Sequence, residues 1–127
     1  MAIHWTLGCD ANDPHRLAAF WARALGYVSE PGYDDPEGAS IVDPDGLGAA
    51  IGFLRVPEGK TSKNRVHIDI RVAGEPPWEM VDRARLIRAK VAELVEAGAT
   101  AVREEHYGDD LGHVVMLDPE GNEFCVA

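Results

Sequence analysis

Two cysteines are all the chain contains. Cys9 and Cys125 each lie in an apolar, strand-like run, where a reduced, packed thiol is the ordinary state. A disulfide framework is excluded. Cations are scarce as well: 12 Lys and Arg stand against 22 Asp and Glu, a formal charge of −10. Such a field repels phosphate backbones and anionic lipid, so neither a nucleic acid nor a membrane partner is expected. No uncharged apolar run approaches the roughly 18 residues of a membrane span. The opening Met1-Ala2-Ile3-His4-Trp5 lacks both a basic and an apolar leader segment, which predicts a cytoplasmic protein. Also missing are a P-loop, Cys-x-x-Cys, His-Glu-x-x-His and Gly-x-Ser-x-Gly, while Gly46-x-Gly48 is followed by Gly52 without the dinucleotide pattern. Nucleotide cofactors and serine hydrolysis therefore have no support.

What is present is a chain of 127 residues, one ordinary domain or two small modules sharing a core, with 46% hydrophobic residues. The 13 Gly and 8 Pro cluster between periodic segments, which predicts short elements and tight turns. Ile3 to Cys9 alternates as a half-buried strand, with Trp5, Leu7 and Cys9 on one face and His4 and Thr6 on the other. Asp13-Pro14 starts a helix that runs to about Leu25, with Leu17, Phe20, Trp21, Ala24 and Leu25 as its apolar stripe and Gly26 as its stop. Tyr27-Val28, Ser40 to Val42 and Ala49 to Val56 read as strands.

After a polar connection the order repeats. Arg65 to Val72 alternates strictly, with Val66, Ile68, Ile70 and Val72 facing a core and His67 and Asp69 facing away. A helix from about Trp78 to Ala97 carries Val81, Ala84, Ile87, Val91, Leu94 and Val95 on one side and stops at Gly98. Thr100 to Arg103, His113 to Leu117 and Glu123 to Val126 close the chain as strands. Asp43-Pro44-Asp45-Gly46 and Asp118-Pro119-Glu120-Gly121 occupy equivalent places, each joining the last two strands of its half. This hidden duplication predicts two βαβββ modules.

The segments Asp13-Pro14 through Ala18-Ala19-Phe20-Trp21 to Leu25-Gly26-Tyr27, then Arg65 to Asp69, then Val115 to Phe124 carry a resemblance over essentially the whole chain. Together with Phe53-Leu54-Arg55-Val56-Pro57 they resemble the vicinal oxygen chelate superfamily of glyoxalases, extradiol dioxygenases and bleomycin-resistance proteins, and its glyoxalase-like subgroup. The resemblance implies an α+β fold of eight mainly antiparallel strands curved around a shared cleft. It also implies a single glyoxalase-like domain over 1–127, with modules near 1–57 and 65–127.

In enzymatic relatives a divalent metal sits in that cleft. Carried over by alignment, the ligand positions fall on Thr6, a poor ligand, on His67, and on Cys125 where a Glu is usual; Ala50 to Leu54 offers none. The expectation is a small-molecule-binding protein that sequesters its ligand, without a cofactor and as a homodimer. The alternative is an enzyme on the same fold. It would be a metal-dependent lyase, isomerase or dioxygenase using a shifted His4, His67 and Glu123 set, or a metal-free acid-base catalyst using His67 with Asp69 or His113.

Parity sharpens the site. Thr6, His67, Asp69, His113, Glu123 and Cys125 are the expected ligand-binding residues, with His4 beside Thr6. Trp5 and Trp21 are expected in the core, and Trp78 as a staple at a helix start, with a pocket or dimer role as the alternative. His15 is expected at the surface, and His106 and Tyr107 in a polar loop. The carboxylates Asp43, Asp45, Asp118 and Glu120 are explained by their turns, and the basic run from Lys60 to Arg65 by a solvated connection.

Overall fold

The computed structural model describes residues 1–127, which form two compact units, Met1–Gly59 and Lys60–Ala127. Each unit has the order βαβββ and one four-stranded mixed sheet, so the fold class is α+β.

The first unit runs β1 (Leu7–Ala11), α1 (Pro14–Leu25), β2 (Val28–Ser29), β3 (Gly38–Val42) and β4 (Ile51–Arg55), with sheet order β1-β4-β3-β2. β1 lies parallel to β4, and the other pairs are antiparallel. Helix α1 begins and ends where the local chemistry dictates. The Asp13 side chain accepts from the Arg16 amide, Pro14 opens the first turn, and Gly26 closes the last at φ 72°. Leu17, Phe20, Trp21 and Ala24 are buried with Ile41, Ile51 and Phe53, and the Phe20 and Trp21 rings meet edge to face at 5.4 Å.

One expectation about this unit fails. The first strand starts at Leu7, not Ile3, and Trp5 is 66% exposed instead of packed in the core. The physical reason is the ladder. Leu7 pairs with Ile51, where β4 begins, so the alternating residues upstream of Leu7 have no partner strand in this sheet.

The second unit runs β5 (Asp69–Ile70), α2 (Met80–Glu96), β6 (Thr100–Tyr107), β7 (Asp110–Leu117) and β8 (Glu123–Val126), with sheet order β5-β8-β7-β6. β5 is parallel to β8, and β8, β7 and β6 pair antiparallel. Its core is Ile70, Ile87, Leu94, Leu111, Val114, Met116, Phe124 and Val126.

Three differences from the sequence pattern appear here. The strand expected over Arg65 to Val72 shrinks to Asp69–Ile70, with flanking backbone bonds from Cys125 to Ile68 and from Val72 to Ala127. Val66 is 79% exposed, since β8 offers no partner that far upstream. The buried face of α2 is Arg83, Ile87 and Leu94, and Val81 is turned out at 76% exposure; the helix is rotated so that Arg83 reaches the Leu111 carbonyl. Finally, the expected loop around His106 and Tyr107 is a hairpin, because β6 and β7 extend to a two-residue turn at Gly108 (φ 63°) and Asp109.

The two Asp-Pro-x-Gly turns behave as their chemistry predicts. Asp43 accepts from the amides of Asp45, Leu47 and Gly48, which hold its carboxyl below the usual carboxylate range. The buried Asp118 accepts from the amides of Glu120 and Asn122 and from the Asn122 side chain. Gly46 and Gly121 take the positive-φ corner at 71° and 84°.

Candidate functional site

The second unit contains a cavity of about 370 Å³. Its wall includes His67, Asp69, His113 and Cys125, and strand geometry explains why. His67 and Asp69 are two residues apart, hence on one face, and Asp69 pairs directly with Cys125 in the parallel β5·β8 ladder. Cys125 in turn pairs with Val115, and His113 lies two residues before Val115 on the same face of β7. Four polar side chains scattered along the sequence are thus assembled by parity and register alone.

The His67 Nδ1 atom lies 2.8 Å from Asp69 Oδ1, and both side chains are about half exposed. Burial pushes the Cys125 thiol above its ordinary pKa, and the neighbouring Asp69 carboxylate, by charge and by accepting a hydrogen bond, pushes it in the same direction. His67, Asp69 and Cys125 each present one ligand atom, all within 4.8 Å of one another.

The remaining wall includes Trp78, whose place at a helix entry left a pocket role open, together with Tyr107 and Arg83, which the sequence pattern did not place in a site. Tyr107 reaches it from the β6 end, its hydroxyl 3.5 Å from His113 Nδ1 and its ring centroid 6.4 Å from that imidazole. Trp78 donates from Nε1 to the Gly74 carbonyl at 3.2 Å, and two guanidinium groups lie over its ring, Arg83 at 4.7 Å and Arg71 at 5.9 Å from the centroid. The sequence carried a hint for Trp78 in its place just before a helix. It carried none for Arg83, since an arginine in a helix reads as solvent-facing.

Glu123 shares the Cys125 face of β8 but does not line the cavity. Its carboxylate takes the Asn64 amide at 2.9 Å and Lys60 Nζ at 3.0 Å, and these bonds, led by the backbone one, lower its pKa to about 2 against the opposing effect of burial. His4 and Thr6 belong to the first unit, where His4 borders a shallow depression with Trp5, Leu47 and Ala49.

Comparison with known proteins supplies the wider frame. The profile of a family described as a glyoxalase-like domain matches residues 6–127. No curated protein sequence matches the chain. Among solved structures, the chain resembles a glyoxalase/bleomycin resistance protein/dioxygenase family enzyme from Burkholderia phytofirmans PsJN, with a TM-score of 0.71 at 18% identity over 95% of this chain and 94% of that one. A possible glyoxalase from Bacillus cereus gives 0.65 at 16% identity over 99% and 98%. A mutant of the fosfomycin resistance protein FosX from Listeria monocytogenes, complexed with Mn(II) and 1S,2S-dihydroxypropylphosphonic acid, gives 0.71 at 9% identity over 99% and 89%. At these identities the likeness is one of fold.

Proposed function

The chain belongs to the glyoxalase-like domain family, and we propose that the cavity of its second unit binds a small organic molecule and holds it without turnover. One observation carries this reading: His67, Asp69, His113 and Cys125 converge on a single cavity of about 370 Å³, a size within the range of ligand sites, whose other walls include Trp78 and Tyr107. In this reading the aromatic rings supply contact area, and the His67–Asp69 pair fixes the ligand's orientation through hydrogen bonds. A thermal-shift screen over small organic molecules tests it, because a ligand at a hundred times its Kd adds about 2.7 kcal/mol of stability. A panel without a single shift, combined with turnover of any substrate, would overturn it.

A second reading is favoured by the His67, Asp69 and Cys125 cluster, whose nitrogen, oxygen and sulfur donors suit a zinc- or iron-like cation and leave positions open. The FosX relative is complexed with Mn(II). These three residues would hold the ion, and a bound cation would polarise an oxygen of the substrate. The raised pKa of the Cys125 thiol works against this set, since a thiolate is the ligand and the proton must first leave. Elemental analysis of untagged protein separates the two: stoichiometric metal that disappears in His67→Ala replaces the binding reading with the metal-dependent one.

The proposal includes a homodimer and a cytoplasmic location. Trp5 in the first unit and Val66 in the second are exposed apolar side chains that a second copy of the chain would cover. No helix is long and apolar enough to cross a membrane. A monomeric mass by light scattering at micromolar concentration would refute the dimer.

A further inference from the structure

Arg83 and Asp118 are the two charged side chains buried in the protein, each 4% exposed. Asp118 is held by the amides of Glu120 and Asn122 and by the Asn122 side chain, as described above. Arg83 is less fully met. Its Nη1 donates to the Leu111 carbonyl at 2.8 Å, its Cζ lies over the Trp78 ring at 4.7 Å from the centroid, and its Nε is shielded from water with no acceptor. The surface arginines are treated differently: Arg55 has Glu37 at 3.2 Å, Arg71 has Glu75 at 3.3 Å and Arg88 has Glu104 at 3.3 Å. With 22 acidic residues against 12 basic ones, carboxylates are plentiful in this chain. Its most buried guanidinium is nevertheless met by one carbonyl and one ring face.

A buried cation is costly unless it is paired and hydrogen-bonded, and a guanidinium offers five N–H donors in a fork that matches an oxyanion. Arg83 also forms part of the cavity wall with Arg71, Tyr107 and His113. We infer that Arg83 anchors an oxyanion subsite in this cavity, and that the ligand is a small organic acid. Its carboxylate or phosphate faces Arg83, and its apolar body lies against Tyr107 and His113. This rests on the reading that the cavity binds a small molecule, and it names the chemical class. The orientation follows from charge. Asp69, bonded to His67, disfavours a second anion beside it, and Arg71, already engaged by Glu75, adds only a partial second cation.

The test is a titration followed by ¹⁵N-edited NMR, using benzoate and phenyl phosphate as anionic probes and benzamide as the neutral counterpart. The shielded Arg83 Nε–H and the Trp78 Nε1–H are the reporters. At least one anion should shift both and bind about tenfold or more tighter than benzamide, the scale of a charge-assisted hydrogen bond. Preference for benzoate assigns a carboxylate ligand, and preference for phenyl phosphate assigns a phosphate. Arg83→Met should bring the anion-to-benzamide ratio to about one, while Arg83→Lys, which keeps the charge and loses the fork, should keep a reduced preference. If Arg83→Met does not fold, the wild-type ratio decides by itself. Equal binding of benzoate, phenyl phosphate and benzamide at His113 and Trp78 overturns the oxyanion subsite and leaves the binding reading standing. If none of the three probes shifts His67, His113 or Trp78, the oxyanion subsite is overturned, and the thermal-shift panel with an assay for turnover decides the binding reading separately.

Discussion

His67 and Asp69, two residues apart in the sequence, are joined by a bond of 2.8 Å between Nδ1 and Oδ1, and the carboxylate of that pair also raises the pKa of the neighbouring Cys125 thiol. An imidazole held in this way has a fixed ring orientation, and its other nitrogen is free to meet a ligand. The same bond makes the pair cheap to alter, because both side chains are about half exposed and carry little of the core.

His67→Ala should therefore lower the affinity of any cavity ligand about tenfold, while changing the unfolding free energy by no more than about 0.5 kcal/mol. Parallel ligand titration and chemical denaturation measure the two quantities. A variant that unfolds the protein would show His67 to be a core residue and remove it from the site.

Cys125 should be a slow nucleophile. Its pKa is raised, first by burial and then by Asp69, so at pH 8 a smaller share of it is thiolate than in an ordinary cysteine. Iodoacetamide labelling followed by peptide mass spectrometry should show Cys125 alkylated several-fold more slowly than a free thiol. Asp69→Asn removes the charge contribution and should speed the reaction. An unchanged rate in that variant would mean that Asp69 does not act on the thiol.

Glu123 makes the stability of the second unit pH-dependent. Its pKa falls from an ordinary 4.5 to about 2 in the folded protein. A carboxyl with a depressed folded pKa contributes stability that is complete above its unfolded value and is lost as pH falls through the folded one. Denaturation midpoints should therefore drop from about pH 4.5 towards pH 2, and Glu123→Gln should lower stability at pH 7 and flatten that drop. Equal acid sensitivity in the two proteins would exclude Glu123 as a source.

Gly112 bears on the cavity through its missing side chain. A Cβ there would fall 2.7 to 2.9 Å from the outer ring atoms of Tyr107, closer than real contacts allow. Those atoms are the mobile end of an exposed side chain, so Gly112→Ala should cost little stability and instead swing the Tyr107 ring away from His113. Loss of the nuclear Overhauser contacts between Tyr107 and His113, with a nearly unchanged Tm, is the expected result. A large drop in Tm would mean that the ring cannot move.

Much of this molecule was legible in its sequence, because the features that specify it act within one turn or one strand. Asp13-Pro14 and Gly26 set both ends of α1 to the residue, and the two Asp-Pro-x-Gly turns marked the repeat of a βαβββ unit. Alternation placed His67 with Asp69 on one face and Glu123 with Cys125 on another, which is local information. What only the tertiary structure decided depends on partners distant in the chain. Trp5 and Val66 carry the pattern of buried strand residues yet are exposed, since a strand ends where its neighbour's ladder ends and no periodicity encodes that. Glu123 left the cavity wall because Lys60 and Asn64 hold it, and Arg83 is buried because the Leu111 carbonyl and the Trp78 ring are there to receive it. Parity by itself determined which side chains share a face. Burial and charge pairing were decided by which distant groups the fold brings against them, because a hydrogen bond or an ion pair is a property of two atoms and the sequence pattern specifies only one.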